Sequence, residues 1–403
     1  MLKITKISAT ALIFYILFYL QVWGDNHLIL YGTAFLSVLS MLIHCIQQGY
    51  MNFSNVPYGV WNNLIMVIYT LTTGLFVSDN YATTVSSSVT FAAFSIVCVS
   101  ICYASSEEGS FEWVLKVLIV TALVCALYAI FRGNDMKGYG RTLSATNNPH
   151  SFSAVMSLGI FSVAYIRRAI DERIKLVLSI GLISLFFYSI IQSGSRKYFV
   201  SSLGLIVIFI IACLKKWLSK GDVQQRILFV FASIGFLLVA LFYFKGIYYQ
   251  SNMYLRMNAV DNAGNQNRIE FYKKAWEIFL DHPIFGGGYD QFQYLSGTGG
   301  YAHSTYAEAI ADFGLVGSVI YFTPMIWILF RLLKEALIEE RDYSSLLLAA
   351  FCLSEIFLGI GQIFFMEFYH FISWMIIFYY SREFIILGQY KSMNNLSSKY
   401  IRN

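Results

Sequence analysis

The chain has 403 residues, of which 57% are hydrophobic and only 13% are charged. Soluble globular proteins carry about twice that share of charged residues, because their surfaces face water. This composition excludes a soluble enzyme, a disordered chain and a fibrous repeat. The apolar residues lie in continuous runs and do not alternate with polar ones, which also excludes an outer-membrane β-barrel. The sequence therefore predicts an all-α, polytopic membrane protein.

Apolar runs of about 20 residues, each long enough for a membrane-spanning helix, recur along the chain. About twelve such helices are predicted, in order Ile7–Trp23, Leu28–Ile46, Val56–Val77, Val85–Tyr103, Phe111–Phe131, Ser151–Ile166, Leu176–Gln192, Tyr198–Leu214, Ile227–Phe244, Thr305–Phe330, Tyr343–Phe365 and Phe368–Leu387. Residues 1–244 would hold the first nine, residues 245–304 a long loop, and residues 305–403 the last three and a tail. No small-residue cleavage site follows the first run, so we interpret it as a retained anchor.

The positively charged residues predict the orientation of these helices. Lys and Arg are enriched in the cytoplasmic loops of membrane proteins. The short segments on the side of the N-terminus hold more of them than the short segments on the other side. Both termini are thus expected in the cytoplasm, and residues 245–304 outside it. The helical pattern of Arg268–Leu280 and the aromatic residues of this loop predict a small folded cap.

Three arginines and one histidine are predicted to lie on the outer side of the membrane: Arg141, Arg196, Arg268 and His303. Arginine binds phosphate through a planar, permanently charged fork. Such cationic side chains at a membrane surface suit a lipid-linked diphosphate, and they would stabilise the charge that develops as it leaves. Histidine can move a proton near neutral pH, so it is suited to activate an acceptor hydroxyl. The tyrosines of the loop offer flat, hydroxylated faces for sugar rings.

Each arginine also has a structural interpretation. Arg141 and Arg196 are typical of interfacial residues whose charged ends reach water from an apolar stem. Arg268 is close in sequence to Glu270 and Asp261, either of which is a possible ion-pair partner on a solvated face. From the residues alone, both interpretations remain open.

Other polar residues within or beside the apolar runs were weighed in the same way. His150 and His282 are interpreted as structural. Glu355 lies within a predicted span, where a carboxylate is either functional or paired internally. The six cysteines lack CxxC spacing and the outer loops lack DxD clusters, so neither a metal site nor a disulfide framework is expected.

Several short motifs, which include Arg268, His303 and Glu308, occur in an order that resembles the O-antigen ligase and Wzy-type polymerase superfamily. That family typically reads Arg…Trp…hPlfGxG, then HNxxxE and a G(L/I)xG helix. This chain reads Arg268…Trp276…His282-Pro-Ile-Phe-Gly286-Gly-Gly288, His303-Ser-Thr-Tyr-Ala-Glu308 and Phe313-Gly314-Leu-Val-Gly317. Ser193-Gly-Ser-Arg196 is similar to the family's (T/S)xSR segment, and Asn147-Asn148-Pro149 to its NPN-like loop. One departure is Ser304, which stands where the family usually has Asn.

The resemblance implies a GT-C-like fold and a metal-independent, inverting transfer of a glycan from undecaprenyl diphosphate. The reaction would take place on the outer face of the bacterial inner (plasma) membrane. Residue by residue, Arg196 and Arg268 would hold the diphosphate, with Arg141 as a weaker third candidate. His303 would orient or deprotonate the acceptor hydroxyl, and Glu308, one helical turn further on, would orient His303. No cofactor and no metal are implied.

The implied partners are undecaprenyl-diphosphate-linked oligosaccharides, as donor and acceptor, and the membrane lipid. If the chain is a polymerase, a chain-length regulator protein is a further candidate partner. No nucleic acid is expected. A polymerase would transfer the growing chain to a second lipid-linked repeat unit, whereas a ligase would transfer the finished chain to lipid A–core. We favour the polymerase, because the glycine- and tyrosine-rich approach to His303 resembles capsule and O-antigen polymerases. A lipid-linked oligosaccharide flippase is the alternative from another class, although the predicted spans hold few charged residues, chiefly Lys116 and Glu355.

Overall fold

The computed structural model describes residues 27–49, 56–107, 111–132, 148–167, 173–220, 262–338 and 343–382, and the isolated positions 10, 246, 249, 251, 253 and 254. Within these ranges the regular secondary structure is helical, without a strand. The predicted span Ile227–Phe244, the span Ile7–Trp23 apart from residue 10, the loop with Arg141, and the C-terminal tail lie outside the described residues.

The helices are, in chain order, α1 (His27–Gln48), α2 (Tyr58–Phe76), α3 (Tyr81–Glu107), α4 (Glu112–Arg132), α5 (Pro149–Arg167), α6 (Arg173–Ser193), α7 (Arg196–Lys220), α8 (Asn262–Asp281), α9 (Phe292–Leu295), α10 (Thr305–Ile338), α11 (Tyr343–Leu358) and α12 (residues 368–382). Apart from the first 25 residues, they divide into two compact units. The first unit comprises Asn26–Phe111 and Asn262–Asn403, and the second comprises Glu112–Asp261.

Five of the described helices are long and apolar enough to cross a membrane. Their apolar segments are Tyr81–Ser105, Glu112–Phe131, Pro149–Ile166, Leu176–Ser193 and Thr305–Ala336. The all-helical prediction is therefore confirmed for the described part of the chain, and the five candidate spans are consistent with a multi-pass membrane protein. The expected number of about twelve spans and the placement of both termini stay predictions.

In the first unit, α10 packs against α2, α8 and α11, and α3 packs against α1 and α2. In the second unit, α5 packs against α4, α6 and α7. Small residues allow α5 this central position, because they let neighbouring helices approach closely. At Gly159, for example, an added Cβ would lie 2.7 Å from the Ala122 Cβ and 2.9 Å from the Phe186 ring.

Helix α11 ends at Leu358, whereas the predicted span continued to Phe365. The carbonyl of Gly359 accepts a hydrogen bond from the Thr305 N–H (2.8 Å), and the carbonyl of Gln362 accepts one from Thr305 Oγ1 (2.5 Å). A continuing helix would use these carbonyls for its own hydrogen bonds. The chain therefore leaves the helix to hold the start of α10, and a 3-10 turn at Phe364–Met366 then leads into α12.

The carboxylate predicted within a span, Glu355, pairs with a residue of the next helix. Its Oε2 lies 2.7 Å from Nδ1 of His370, and both side chains are buried. The ring of His370 also packs on Phe364, with ring centroids 4.3 Å apart. Because buried ionisable groups need such partners, this pair fits the structural interpretation of Glu355, and it ties α12 to α11.

Candidate active site

Helix α10 is interrupted at Gly314, where the backbone has φ 62° and ψ −163°. Glycine adopts this conformation without the steric cost that a Cβ would impose. The segment after α8 fills the interruption. Four hydrogen bonds join the two backbones: Gly287 N–H to the Ala311 carbonyl (2.8 Å), Gly288 N–H to the Asp312 carbonyl (3.0 Å), Leu315 N–H to the Pro283 carbonyl (2.9 Å) and Val316 N–H to the Ile284 carbonyl (3.0 Å).

The contact between these two segments depends on a pair of glycines. A Cβ on Gly314 would lie 2.6 Å from the Ile284 carbonyl oxygen and would also overlap the Gly286 nitrogen. A Cβ on Gly286, whose φ is 76°, would overlap the Asp312 carbonyl. The glycine triplet of the sequence is thus part of an interlock with α10 and not a nucleotide-binding loop.

A tyrosine of α2 completes this interlock. The hydroxyl of Tyr69 donates to the carbonyl of Phe313 (2.6 Å) and lies 3.1 Å from the carbonyl of Phe285. A carbonyl beside a helix break loses its partner within the helix, and it must be satisfied elsewhere. Tyr69 supplies that partner to the Phe313 carbonyl, and α2 is thereby tied to the broken part of α10.

Two aspartates organise the turn after the glycines. The carboxylate of Asp312 is buried and accepts the N–H groups of Asp290 (2.9 Å) and Phe292 (3.0 Å). Asp290 itself has a left-handed backbone, with φ 60°. Its carboxylate accepts hydrogen bonds from Ser87 Oγ (2.6 Å) and Gln293 Nε2 (2.9 Å). Burial raises the pKa of Asp290 above its usual value, although these two hydrogen bonds oppose the shift.

Glu308 holds the backbone next to His303. Its side chain is only 1% exposed, and Oε2 accepts the Ala302 N–H at 2.6 Å. Ser304 lies before the first turn of α10, where its Oγ is 3.5 Å from the Ala307 nitrogen. Ser and Asn are both favourable at such an N-cap position. The departure from the family's usual Asn is therefore compatible with the local structure.

His303 lies between two aromatic rings at the mouth of α10. Its ring stacks on Phe271, with centroids 5.9 Å apart and an interplanar angle of 28°, and meets the edge of Tyr301 at 4.6 Å. The backbone of His303 is left-handed, with φ 54°. A residue other than glycine in this region is held there by its surroundings at a cost of about 1–3 kcal/mol, which is common at functional sites.

Tyr301 is half-buried and carries a protonated hydroxyl. Its pKa is raised, first by burial of the phenol and then by the carboxylates of Glu367 and Glu308. The hydroxyl therefore remains a hydrogen-bond donor throughout the neutral range. A ring with such a donor beside His303 suits a sugar that brings a hydroxyl to the imidazole.

Arg268 lies on α8, one turn before the phenylalanine that stacks on His303. Residues three apart in a helix share a face, with Cβ atoms about 5–6 Å apart. Arg268 and Phe271 are thus neighbours, and the Arg268 side chain is exposed. The first unit therefore brings three of the predicted site residues to one region: Arg268, His303 and Glu308.

Arg196 is the first residue of α7, in the second unit. The hairpin before it is held by serines: Ser195 Oγ lies 2.8 Å from His150 Nδ1, and Ser193 Oγ lies 2.7 Å from Ser153 Oγ. Gly194 makes the turn with φ 69°. The two motifs around residues 148 and 195 are thus in direct contact, and the structural interpretation of His150 stays a prediction. The role of Arg196 in binding phosphate stays a prediction, as does that of Arg141, which lies outside the described residues.

Several residues of this site carried little or no sequence signal. Tyr69 lies in an apolar run more than 200 positions from the carbonyls it contacts, so the sequence cannot identify it. Phe271 is one of 35 phenylalanines, and no motif distinguishes it from the others. Asp312 directly precedes the motif that begins at Phe313, but its sequence position does not show that its carboxylate holds a turn about 20 residues earlier. In the described part of the chain no group of three His, Cys, Asp or Glu side chains is placed to hold a metal ion.

Of the comparisons with known proteins, the one with family models agrees with the motifs. No curated protein matches the chain. The family model described as O-antigen ligase matches residues 181–322, which is about a third of the chain and includes Arg196, Arg268, His303 and Glu308. The resemblance of this chain to the O-antigen ligase and Wzy-type polymerase superfamily is thereby confirmed.

Proposed function

We propose that the chain is a polysaccharide polymerase that transfers a growing glycan from undecaprenyl diphosphate to a lipid-linked repeat unit. The family match supports membrane glycosyl transfer of the O-antigen ligase and polymerase type at this level. The donor, the acceptor and the outer face of the membrane as the site of reaction belong to the proposal. The observation that carries it is His303, which lies within the matched segment in a left-handed conformation between two aromatic rings.

In the proposed reaction a hydroxyl oxygen of the acceptor sugar attacks the anomeric carbon of the donor. The bond between that carbon and the diphosphate oxygen breaks, and the diphosphate leaves with the electron pair. An imidazole nitrogen of His303 accepts the hydroxyl proton; in the alternative, His303 only orients the hydroxyl and the proton passes to an oxygen of the departing diphosphate. Arg268 balances the negative charge on the departing diphosphate, because its guanidinium stays cationic at every physiological pH. Attack opposite the leaving group inverts the anomeric centre.

Glu308 acts through the backbone in this scheme. Its carboxyl oxygen accepts a hydrogen bond from the Ala302 N–H. This bond fixes the backbone before His303 and so sets the direction in which the His303 side chain points. Glu308 is therefore a positioning residue. The aromatic pair Phe271 and Tyr301 limits the rotation of the imidazole and would guide the acceptor ring toward it.

An O-antigen ligase is the second candidate, because the matched family model carries that description. The two activities share the donor and differ in the acceptor, which is lipid A–core for a ligase. The described residues around His303 suit either acceptor, since both offer a sugar hydroxyl.

The first experiment complements a deletion strain with the wild type, His303→Ala, Arg268→Ala or Arg196→Ala. Two matched controls are His282→Ala, a histidine of the same loop, and Lys273→Ala, an exposed cation of the same helix. Membrane levels of every variant are compared, and surface and lipid-linked polysaccharides are separated on gels. We expect long-chain ladders from the wild type and both controls, and single-repeat products from the three site variants.

Two other outcomes would change the assignment. If repeat units polymerise normally on undecaprenyl diphosphate but never reach lipid A–core, the chain is a ligase. If well-expressed site variants yield wild-type ladders, His303 and the arginines have no catalytic part, and a transporter or structural role moves ahead.

A further inference from the structure

Helix α8 has three faces with different surroundings. One face packs inward: Phe271, Ala275 and Ile278 form a core with Phe292, Ala302 and Ala311. A second face carries only polar side chains, namely Glu270, Lys273, Lys274, Glu277 and Asp281, with a 2.9 Å ion pair between Lys274 and Glu277. The third face is apolar and exposed, and it consists of Ile269, Tyr272, Trp276 and Leu280.

The exposed apolar residues form one continuous stripe. Successive residues turn by about 100° around a helix axis, so positions 269, 276 and 280 fall within roughly 40° of one another, with position 272 beside them. Ile269 is 55% exposed, Trp276 53% and Leu280 60%. Single exposed apolar side chains are ordinary, but an aligned stripe marks a surface that contacts something other than water.

This stripe continues onto the surface of a membrane-spanning helix. Ile284 and Phe285, just after α8, are also exposed. The Ile284 carbonyl is hydrogen-bonded to Val316 in α10. None of residues 305–314 of α10 is exposed, whereas Leu315, directly after the interruption, is 61% exposed, and Val319 one turn later is exposed as well. The exposed apolar residues of α8 are thus followed by Ile284 and Phe285, which lie against α10 where its own apolar side chains become exposed beyond Gly314.

We propose that the Ile269–Tyr272–Trp276–Leu280 face of α8 lies in the headgroup region of the bilayer that α10 spans. Tyr and Trp favour this depth, because each joins an apolar ring to a polar group. The polar side chains, two lysines and three acidic residues, lie on the neighbouring face and would remain in water, as in an amphipathic helix that lies in the interface. Lipid is favoured over a protein partner as the occupant, because the stripe continues onto a helix surface that the bilayer itself must cover.

The membrane contact does not depend on the proposed function, but one consequence rests on it. Around the helix, Arg268 lies between the inward face at Phe271 and the lipid face at Tyr272. The guanidinium is therefore held at the depth of the headgroups. That is also the depth at which the diphosphate of a lipid-linked glycan lies, so the substrate would reach Arg268 by lateral diffusion in the membrane.

The test attaches nitroxide spin labels to single cysteines in the full-length chain, after the six native cysteines are changed to alanine. Labels replace Ile269, Trp276 and Leu280 in one set, and Lys273, Glu277 and Asp281 in a matched set on the polar face. Each protein is reconstituted into nanodiscs of zwitterionic and anionic phospholipids. Power saturation then measures accessibility to oxygen, which partitions into lipid, and to a water-soluble nickel chelate.

We expect the ratio of oxygen to nickel accessibility to be high in the first set and low in the second, with a period of 3.6 residues. A high nickel accessibility at positions 269, 276 and 280 would overturn the proposal, because it would place the stripe in water. Low accessibility to both reagents at these positions would also overturn it, because another protein surface would then cover the stripe. None of these readouts uses catalysis, so a failed polymerase assignment would leave them unchanged.

Discussion

Substitutions of Glu308 test whether its hydrogen bond to the Ala302 N–H holds His303 in position. Glu308→Ala removes the acceptor and leaves the Ala302 N–H, which is buried, without its partner. Glu308→Gln keeps a carbonyl oxygen of the same reach. The two variants therefore separate the acceptor function of Glu308 from its charge and its proton.

The magnitude follows from the cost of an unsatisfied donor. A buried N–H without a partner costs about 1–3 kcal/mol, which corresponds to roughly 5- to 160-fold in the population of the ordered segment. The ordered conformation of this segment already includes the left-handed backbone of His303, which costs about 1–3 kcal/mol. A further loss of stability therefore lowers the population of that conformation. We expect the polymerisation rate of Glu308→Ala to fall about ten- to hundredfold, and that of Glu308→Gln to stay within a few-fold of the wild type.

The assay follows chain growth by purified protein reconstituted with lipid-linked repeat units. Thermal unfolding in detergent is measured in parallel, so that loss of folded protein is not mistaken for loss of rate. The control pair is Glu277→Ala and Glu277→Gln, since Glu277 is exposed on the same unit and pairs with Lys274 on the surface of α8. Equal rate losses in folded Glu308→Gln and Glu308→Ala would refute the reasoning, because the charge or the proton would then be essential. An unchanged rate in Glu308→Ala would refute it as well.

Two further predictions concern the turn and the interlock beneath His303. Gly314→Ala should yield little folded protein on size-exclusion chromatography, because its Cβ would lie 2.6 Å from the Ile284 carbonyl oxygen. The control is Gly204→Ala in α7, where a Cβ meets nothing within 4 Å, and it should be neutral or slightly stabilising. Equal yields of the two variants would contradict the interlock. The raised pKa of Asp290 means that its ionisation opposes folding, so this penalty is absent below the ordinary carboxyl pKa, grows as the pH rises through the folded-state pKa, and persists above it. Asp290→Asn also tolerates a left-handed backbone, but its amide has one acceptor oxygen where the carboxylate binds both Ser87 and Gln293. Its melting temperature relative to that of the wild type should therefore rise from acid to neutral pH, whatever the absolute difference; a constant difference across pH would contradict the prediction.

The long apolar helices could be predicted because a membrane requires about 20 apolar residues in a row. The runs at Val85–Tyr103 and Thr305–Phe330, for example, lie within α3 and α10. The end of α11 could not be predicted in this way. Apolar residues continue past Leu358 apart from Gly359, Gly361 and Gln362, and the carbonyls of Gly359 and Gln362 are bound instead by Thr305, a residue distant in sequence.

The candidate site was predictable as a set of residues but not as a set of contacts. The spacing of His303 and Glu308 placed them one helical turn apart, yet the carboxyl oxygen of Glu308 contacts the backbone of Ala302. The left-handed backbone of His303 has no signature in its residue type. The interruption of α10 likewise has none beyond Gly314 itself, because a single glycine within an apolar run is usually tolerated in a helix.

The interlock between Gly286 and Gly314 constrains how this chain can change during evolution. Each glycine leaves the space into which the backbone beside the other one fits. A side chain at either position would separate the two segments, after which the remaining glycine would no longer be needed. Related chains should therefore keep both glycines or lose both, and the loop and the helix should diverge as one unit. Grafting a foreign segment 282–288 without its matching segment 311–316 should for the same reason fail, whereas exchanging both together should succeed.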